Sequence, residues 1–165
     1  MHLRLIHQDS IASVLDKARQ YRSLLEPELA ISICLDIFAI DANHQQALVI
    51  YILASTDLYS HPGMKVEKQK ITQAIAQLES EFERVYYSGI LLERQARSLL
   101  KNAMSRSFAY DLFMQAIALY DQSESLSPKG NDDAILRYNA CVRTIHSQRL
   151  SPRQDVDDGT WQSES

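Results

Sequence analysis

The chain has 165 residues, 45% of them hydrophobic, with four Gly, four Pro and a formal net charge of −4 at pH 7. This length builds one domain or one short solenoid with a real core, and so few breaking residues exclude a turn-dominated chain. The acidic balance argues against a nucleic-acid binder, which carries a basic face, and the longest apolar stretches, such as Ala47 to Ala54, are far too short to span a bilayer.

Met1 to Ser10 carries Arg4, His7 and Asp9 and no long apolar run, so it reads as an N-terminal segment and not as a signal peptide. Ser10 is a candidate N-cap for a first helix to about Leu25, in which Ile11, Val14, Leu15, Ala18, Tyr21 and Leu25 recur with helical period. Glu26-Pro27 ends that helix and starts a second, because Pro suits a first helical turn and cannot continue an existing one. The second helix runs to about Ile40 with Ala30, Ile33, Cys34, Ile37 and Phe38 on its core side. Asp41 to His44 is a tight join, where Asp41 or Asn43 caps a third helix over about Gln45 to Tyr59. Ser60-His61-Pro62-Gly63 breaks the chain. A fourth helix, about Lys65 to Ser80, sets Ile71, Ile75 and Leu78 on one face, and a fifth covers about Phe82 to Asn102. Gly89 in mid-helix costs about 1 kcal/mol against Ala, so close packing of a partner helix should compensate. A sixth helix spans about Ser107 to Ser125, Ser127-Pro128-Lys129-Gly130 breaks it, and Asn131 caps a last helix to about Gln148. Residues 150–165, rich in Ser, Asp, Gln, Pro and Gly, read as a disordered acidic tail bearing the only Trp, Trp161. The whole reads as all-α: three antiparallel helix pairs over 11–149, with a terminal helix covering the end of the stack.

The spacing carries more than helicity. Val14, Lys17, Ala18, Tyr21, Ala30, Cys34 and Ala42 fall at the offsets W-x2-L-G-x2-Y, A-x3-F and P, and Leu48, Ile52 and Ser55 follow Val14, Ala18 and Tyr21 after one 34-residue period. Val85, Ser88, Gly89 and Leu92 restate the first part, and Ala109, Phe113 and Ala116 the second. On these residues the chain resembles a small tetratricopeptide repeat protein over about Ile11 to Ser147. It departs from that pattern at Cys34, Ala42 and Met64, and the unit of the fifth and sixth helices is about eight residues longer than the family's period.

The resemblance implies a scaffold or adaptor with a concave groove lined by the first helix of each pair. Carried over, the groove positions are Ala12, Leu15, Arg19, Arg22 and Ser23, then Gln46, Val49, Leu53, Thr56 and Asp57, then Glu83, Tyr86, Ile90, Glu93 and Arg94. Arg19, Arg22, Leu53, Tyr86, Ile90, Glu93 and Arg94 are the leading partner-binding candidates. Arg19 and Arg22 share a helix face and suit an acidic or carboxylate-ended segment; the alternative is a solvated face or pairing with Asp16 or Glu26. Tyr86, Ile90, Glu93 and Arg97 form one stripe, with Tyr87, Leu91 and Arg94 beside it; one of the two must be core.

Five scattered histidines make no recognised metal motif, and no phosphate-loop, dinucleotide or nucleophile-elbow pattern occurs, so no metal, cofactor or catalytic residue is assigned. Cys34 and Cys141 lack C-x-x-C partners and read as reduced, buried thiols, in keeping with a cytoplasmic location. Trp161 is either an untethered tail residue or a short docking motif for a partner or for the chain's own Arg-bearing groove. The functional expectation is a non-enzymatic adaptor that binds a protein segment, with neither nucleic acid nor membrane as partner. The alternatives are a small helical enzyme or ligand-binding protein with a pocket near Tyr86, Glu93 and Arg94, and a homodimer.

Overall fold

A computed structural model describes residues 1–153. Trp161 and the rest of the predicted acidic tail beyond Arg153 lie outside the described residues. Among the described residues there are seven α-helices and no strands: α1 (Ile11–Ser23), α2 (Pro27–Phe38), α3 (Gln45–Asp57), α4 (Lys68–Ala76), α5 (Glu81–Leu99), α6 (Arg106–Leu126) and α7 (Asp133–Ser147). None of them is long and apolar enough to cross a membrane.

The helix ends show where local chemistry overrode the reading from composition. Ser10 sits at the N-cap position of α1 without capping it; its hydroxyl donates to the His7 carbonyl at 2.7 Å, closing a short 3-10 turn over Gln8–Ser10. At the other end Leu25 takes a left-handed φ of 62°, and Glu26 N–H reaches back to the Tyr21 carbonyl at 3.0 Å. This wrap satisfies the last free carbonyls of α1, and Pro27 then opens α2 at its first position. Neither Asp41 nor Asn43 caps α3: the Asp41 carboxylate accepts from Asn43 N–H inside the turn, and His44 Nδ1 accepts from Ala47 N–H at 3.3 Å. The fourth helix is shorter than its pattern, Lys68–Ala76 rather than Lys65 to Ser80. Ser80 belongs to the next element, where its hydroxyl accepts from Glu83 N–H at 3.3 Å and caps α5. Asn131 also accepts, from Asp133 N–H at 2.9 Å, one residue ahead of the N-cap position of α7.

Each helix packs chiefly on its neighbours in the chain, and the α5–α6 interface is the most extensive. Burial divides into three clusters. Leu15, Ala18, Cys34, Ile37, Ala47 and Ile50 join α1, α2 and α3. Leu48, Ile52, Ile71, Ala74, Ile75, Leu78 and Leu91 lie between α3, α4 and α5. The largest is built on Phe82, Tyr86, Ile90, Phe113, Ala116, Tyr120 and Cys141, from α5, α6 and α7. Phe38 and Tyr51 touch both the first and second clusters, and Tyr87 touches both the second and third. Helix α1 also contacts α3, and α3 contacts α5, so these three helices share one side of the molecule.

Candidate functional site

Polar side chains of α1, α3 and α5 meet across that shared side. Arg22 Nε donates to Asp57 Oδ2 at 2.7 Å and its Nη2 reaches Oδ1 at 3.4 Å. Arg94 Nη2 approaches the same Asp57 Oδ1 at 3.2 Å, so one carboxylate on α3 holds guanidiniums from α1 and α5. The three side chains are 30%, 19% and 22% exposed, sheltered enough to resist screening but open at one edge. Arg19, further up α1, donates to Asp16 at 2.7 Å and to the Gln46 side-chain oxygen at 3.2 Å. The predicted alternative pairing with Asp16 is therefore present, together with a bridge to α3.

Two clefts open along this side. One, of about 200 Å³, is lined by Arg19, Gln46, Val49, Ile50 and Glu83, and partial burial raises the Glu83 carboxyl above its ordinary range. The other, of about 290 Å³, is lined by Arg22, Asp57 and Arg94 with Leu25, Ser60 and His61. His61 Nδ1 lies 3.1 Å from the Asp57 backbone carbonyl; a carbonyl only accepts, so Nδ1 carries the proton. Leu53 is partly buried and packs toward the third core cluster.

Five of the predicted groove residues are buried: Leu15 packs in the first core cluster, the Thr56 hydroxyl donates to the Leu53 carbonyl at 2.9 Å, and three of the leading candidates turn to the other side of α5. Tyr86, Ile90 and Glu93 are 9%, 1% and 1% exposed and face α6 and α7, not solvent. The physical reason is the partner they meet. Tyr120 on α6 donates its hydroxyl to Glu93 Oε2 at 2.7 Å, Arg97 Nε donates to Oε1 at 2.8 Å, and Arg137 of α7 lies 3.5 Å from Oε1. The neighbouring stripe is the one that reaches the shared side, through Arg94, while its Leu91 is buried against α4. Tyr86, Glu93 and Arg94 therefore do not converge on one pocket: the first two face inward and the third lines the Asp57 cleft.

The inward cluster shifts its own protons. Burial, then the Glu93 charge, pushes the Tyr120 phenol far above its ordinary value, and burial raises those of Tyr86 and Tyr87. Burial pushes the thiols of Cys34 and Cys141 up to about 12 from an ordinary value of 9.0. The folded state thus holds these thiol protons more tightly than the unfolded chain. That stabilisation is complete below the ordinary value of 9.0 and is lost as pH rises toward 12. An aromatic disulfide reagent at about pH 8 is expected to leave both cysteines unmodified until urea unfolds the chain. Rapid labelling of the folded protein would contradict this burial.

His61 and Arg137 escaped the sequence reading. His61 lies in a segment legible only as a break, and the Arg137 contact spans from α7 back to α5, beyond any local spacing. Among the described residues no group of three or more His, Cys, Asp or Glu is placed to hold a metal ion. No family model, no curated protein and no solved structure matches the chain.

Proposed function

We propose that the protein is a scaffold of the tetratricopeptide kind, which binds an extended segment of a partner protein along the side shared by α1, α3 and α5. In this reading α1/α2, α3/α4 and α5/α6 are three antiparallel helix pairs and α7 covers the last of them. The observation that carries it is the Arg22–Asp57–Arg94 bridge. Those residues stand near the ends of the first helices of the three pairs, at positions the repeat resemblance implies for a groove, and they meet across three helices. The Arg19–Gln46 contact repeats the arrangement higher up. Both clefts on this side are open and partly polar, which suits a chain segment better than a closed apolar ligand.

The test is capture of a partner by immobilised protein, with binding then measured on the purified pair. Arg19→Glu combined with Gln46→Lys alters the exposed end of the face at residues that are not in the core. Lys129→Glu, exposed on the turn between α6 and α7, is the control. Loss of binding in the first variant alone, with helicity unchanged by circular dichroism, supports the groove. Equal binding in all three proteins moves the interface to another face and overturns the proposal.

A further inference from the structure

We infer that the cleft between Arg22, Arg94 and His61 is a binding site for a phosphoryl group. The first argument is a surplus of donors. Two guanidiniums bring about ten N–H donors in fixed forks. Asp57 engages only part of that set, two donors of Arg22 and the near edge of Arg94. Arg94 Nε is buried with no hydrogen-bond partner among the described residues. That nitrogen is closed to solvent, so the donors left for a ligand are those of the two forks that Asp57 does not engage.

The second argument is charge. Two arginines against one aspartate leave the cleft net positive. Lys101 adds a further cation nearby, its ammonium 3.4 Å from the Ser60 carbonyl. The third argument is the number of acceptors called for. A carboxylate offers two oxygens, and Asp57 already supplies one such group. The remaining guanidinium donors and the Ser60 hydroxyl suit a group with three terminal oxygens and about −1.5 to −2 charge, which is a phosphate monoester; His61, whose Nδ1–H is engaged by the Asp57 carbonyl, lines the cleft. The cleft volume of about 290 Å³ leaves room for the group together with part of the molecule that carries it.

This site does not depend on the scaffold reading, because a small anion alone tests it. The experiment is a titration of the folded full chain, followed by nuclear magnetic resonance at constant ionic strength, with inorganic phosphate, phenyl phosphate and acetate as probes. Saturable shifts are expected at the backbone amides of Ser60 and His61 and at the Arg94 side chain, with a dissociation constant on the order of 1 mM for phosphate. Arg94→Gln is expected to weaken binding by roughly tenfold or more. Ser60→Asp, at an exposed position that leaves the fold alone, places a repelling charge at the rim and should abolish it. Retained binding in a folded Ser60→Asp variant overturns the proposal. So does the absence of saturation up to tens of millimolar phosphate in the wild type. Acetate saturating the same amides as tightly as phosphate would make the site one for carboxylates and overturn it as well.

Discussion

Replacing Glu93 by Gln is expected to lower the stability of the folded chain by about 2 kcal/mol, the scale of a hydrogen bond to a charged group. Gln keeps the shape of the side chain, so the loss is electrostatic rather than a cavity. Glu93 is 1% exposed, whereas Arg97 and Arg137 are 36% and 32% exposed and keep contact with water. The glutamate therefore carries most of the desolvation cost, offset only by its three partners. With Gln in place, the amide oxygen can keep Arg97 while the amide nitrogen donates to the Tyr120 hydroxyl, so the contacts survive only as hydrogen bonds without the carboxylate charge, and the Tyr120 proton must turn elsewhere. Urea unfolding followed by circular dichroism is the measurement, with a midpoint lower by roughly 0.7–2 M. Arg19→Ala serves as the contrast, since its ion pair is largely exposed and should move stability by well under about 1 kcal/mol. An unchanged midpoint for Glu93→Gln would show that the cluster contributes nothing net.

Gly89→Ala is expected to destabilise by about 2 kcal/mol despite the better helix former, because overpacking costs more than the propensity gains. A methyl at Gly89 would lie 2.7 Å from Tyr120 Cε1 and 3.0 Å from Cδ1. The ring has nowhere to go: Tyr120 is fully buried, tilted against Tyr86 at 5.9 Å between centroids, and tethered through its hydroxyl to Glu93. The clash therefore reaches α5 and α6 themselves and pushes the helices apart. Thermal unfolding checks the sign. Combining Gly89→Ala with Tyr120→Val should give a double variant less destabilised than the sum of the two, the signature of a shared contact. Strict additivity would place the cost of Gly89→Ala elsewhere.

Helical content was legible because every segment repeats its apolar residues at helical period and the breaks at 60–63 and 127–130 are unambiguous. The ends were less so. A histidine that caps with Nδ1, as His44 does, cannot be told from a solvated one by type or spacing. Met64 to Glu67 stay outside α4 although nothing in their composition forbids a helix. At the candidate site, Arg22, Asp57 and Arg94 could be placed on one side from repeat spacing, and the close approach at Gly89 followed from the cost of a mid-helix glycine. The two stripes of α5 could not be ranked. Both mix an aromatic, an aliphatic and a charge, and a glutamate looks like the outward choice. The decision rests on Tyr120 and Arg137, whose contacts with Glu93 leave no trace in the local pattern of α5.

The division of the core into three clusters has a kinetic side. Contacts run mainly between chain neighbours, so most of them close short loops, and α5 with α6 can collapse early without waiting for the N-terminal helices. The clusters communicate through few side chains, with Phe38 and Tyr51 at one joint and Tyr87 at the other. Opening α1 and α2 severs the first joint and leaves the α5–α6–α7 cluster with nearly all its partners. Amide protons should therefore exchange in tiers, α1 and α2 fastest and the middle of α5 and α6 slowest. The shared side that bridges α1 to α5 through Asp57 would then be the part of the molecule most often taken apart and remade.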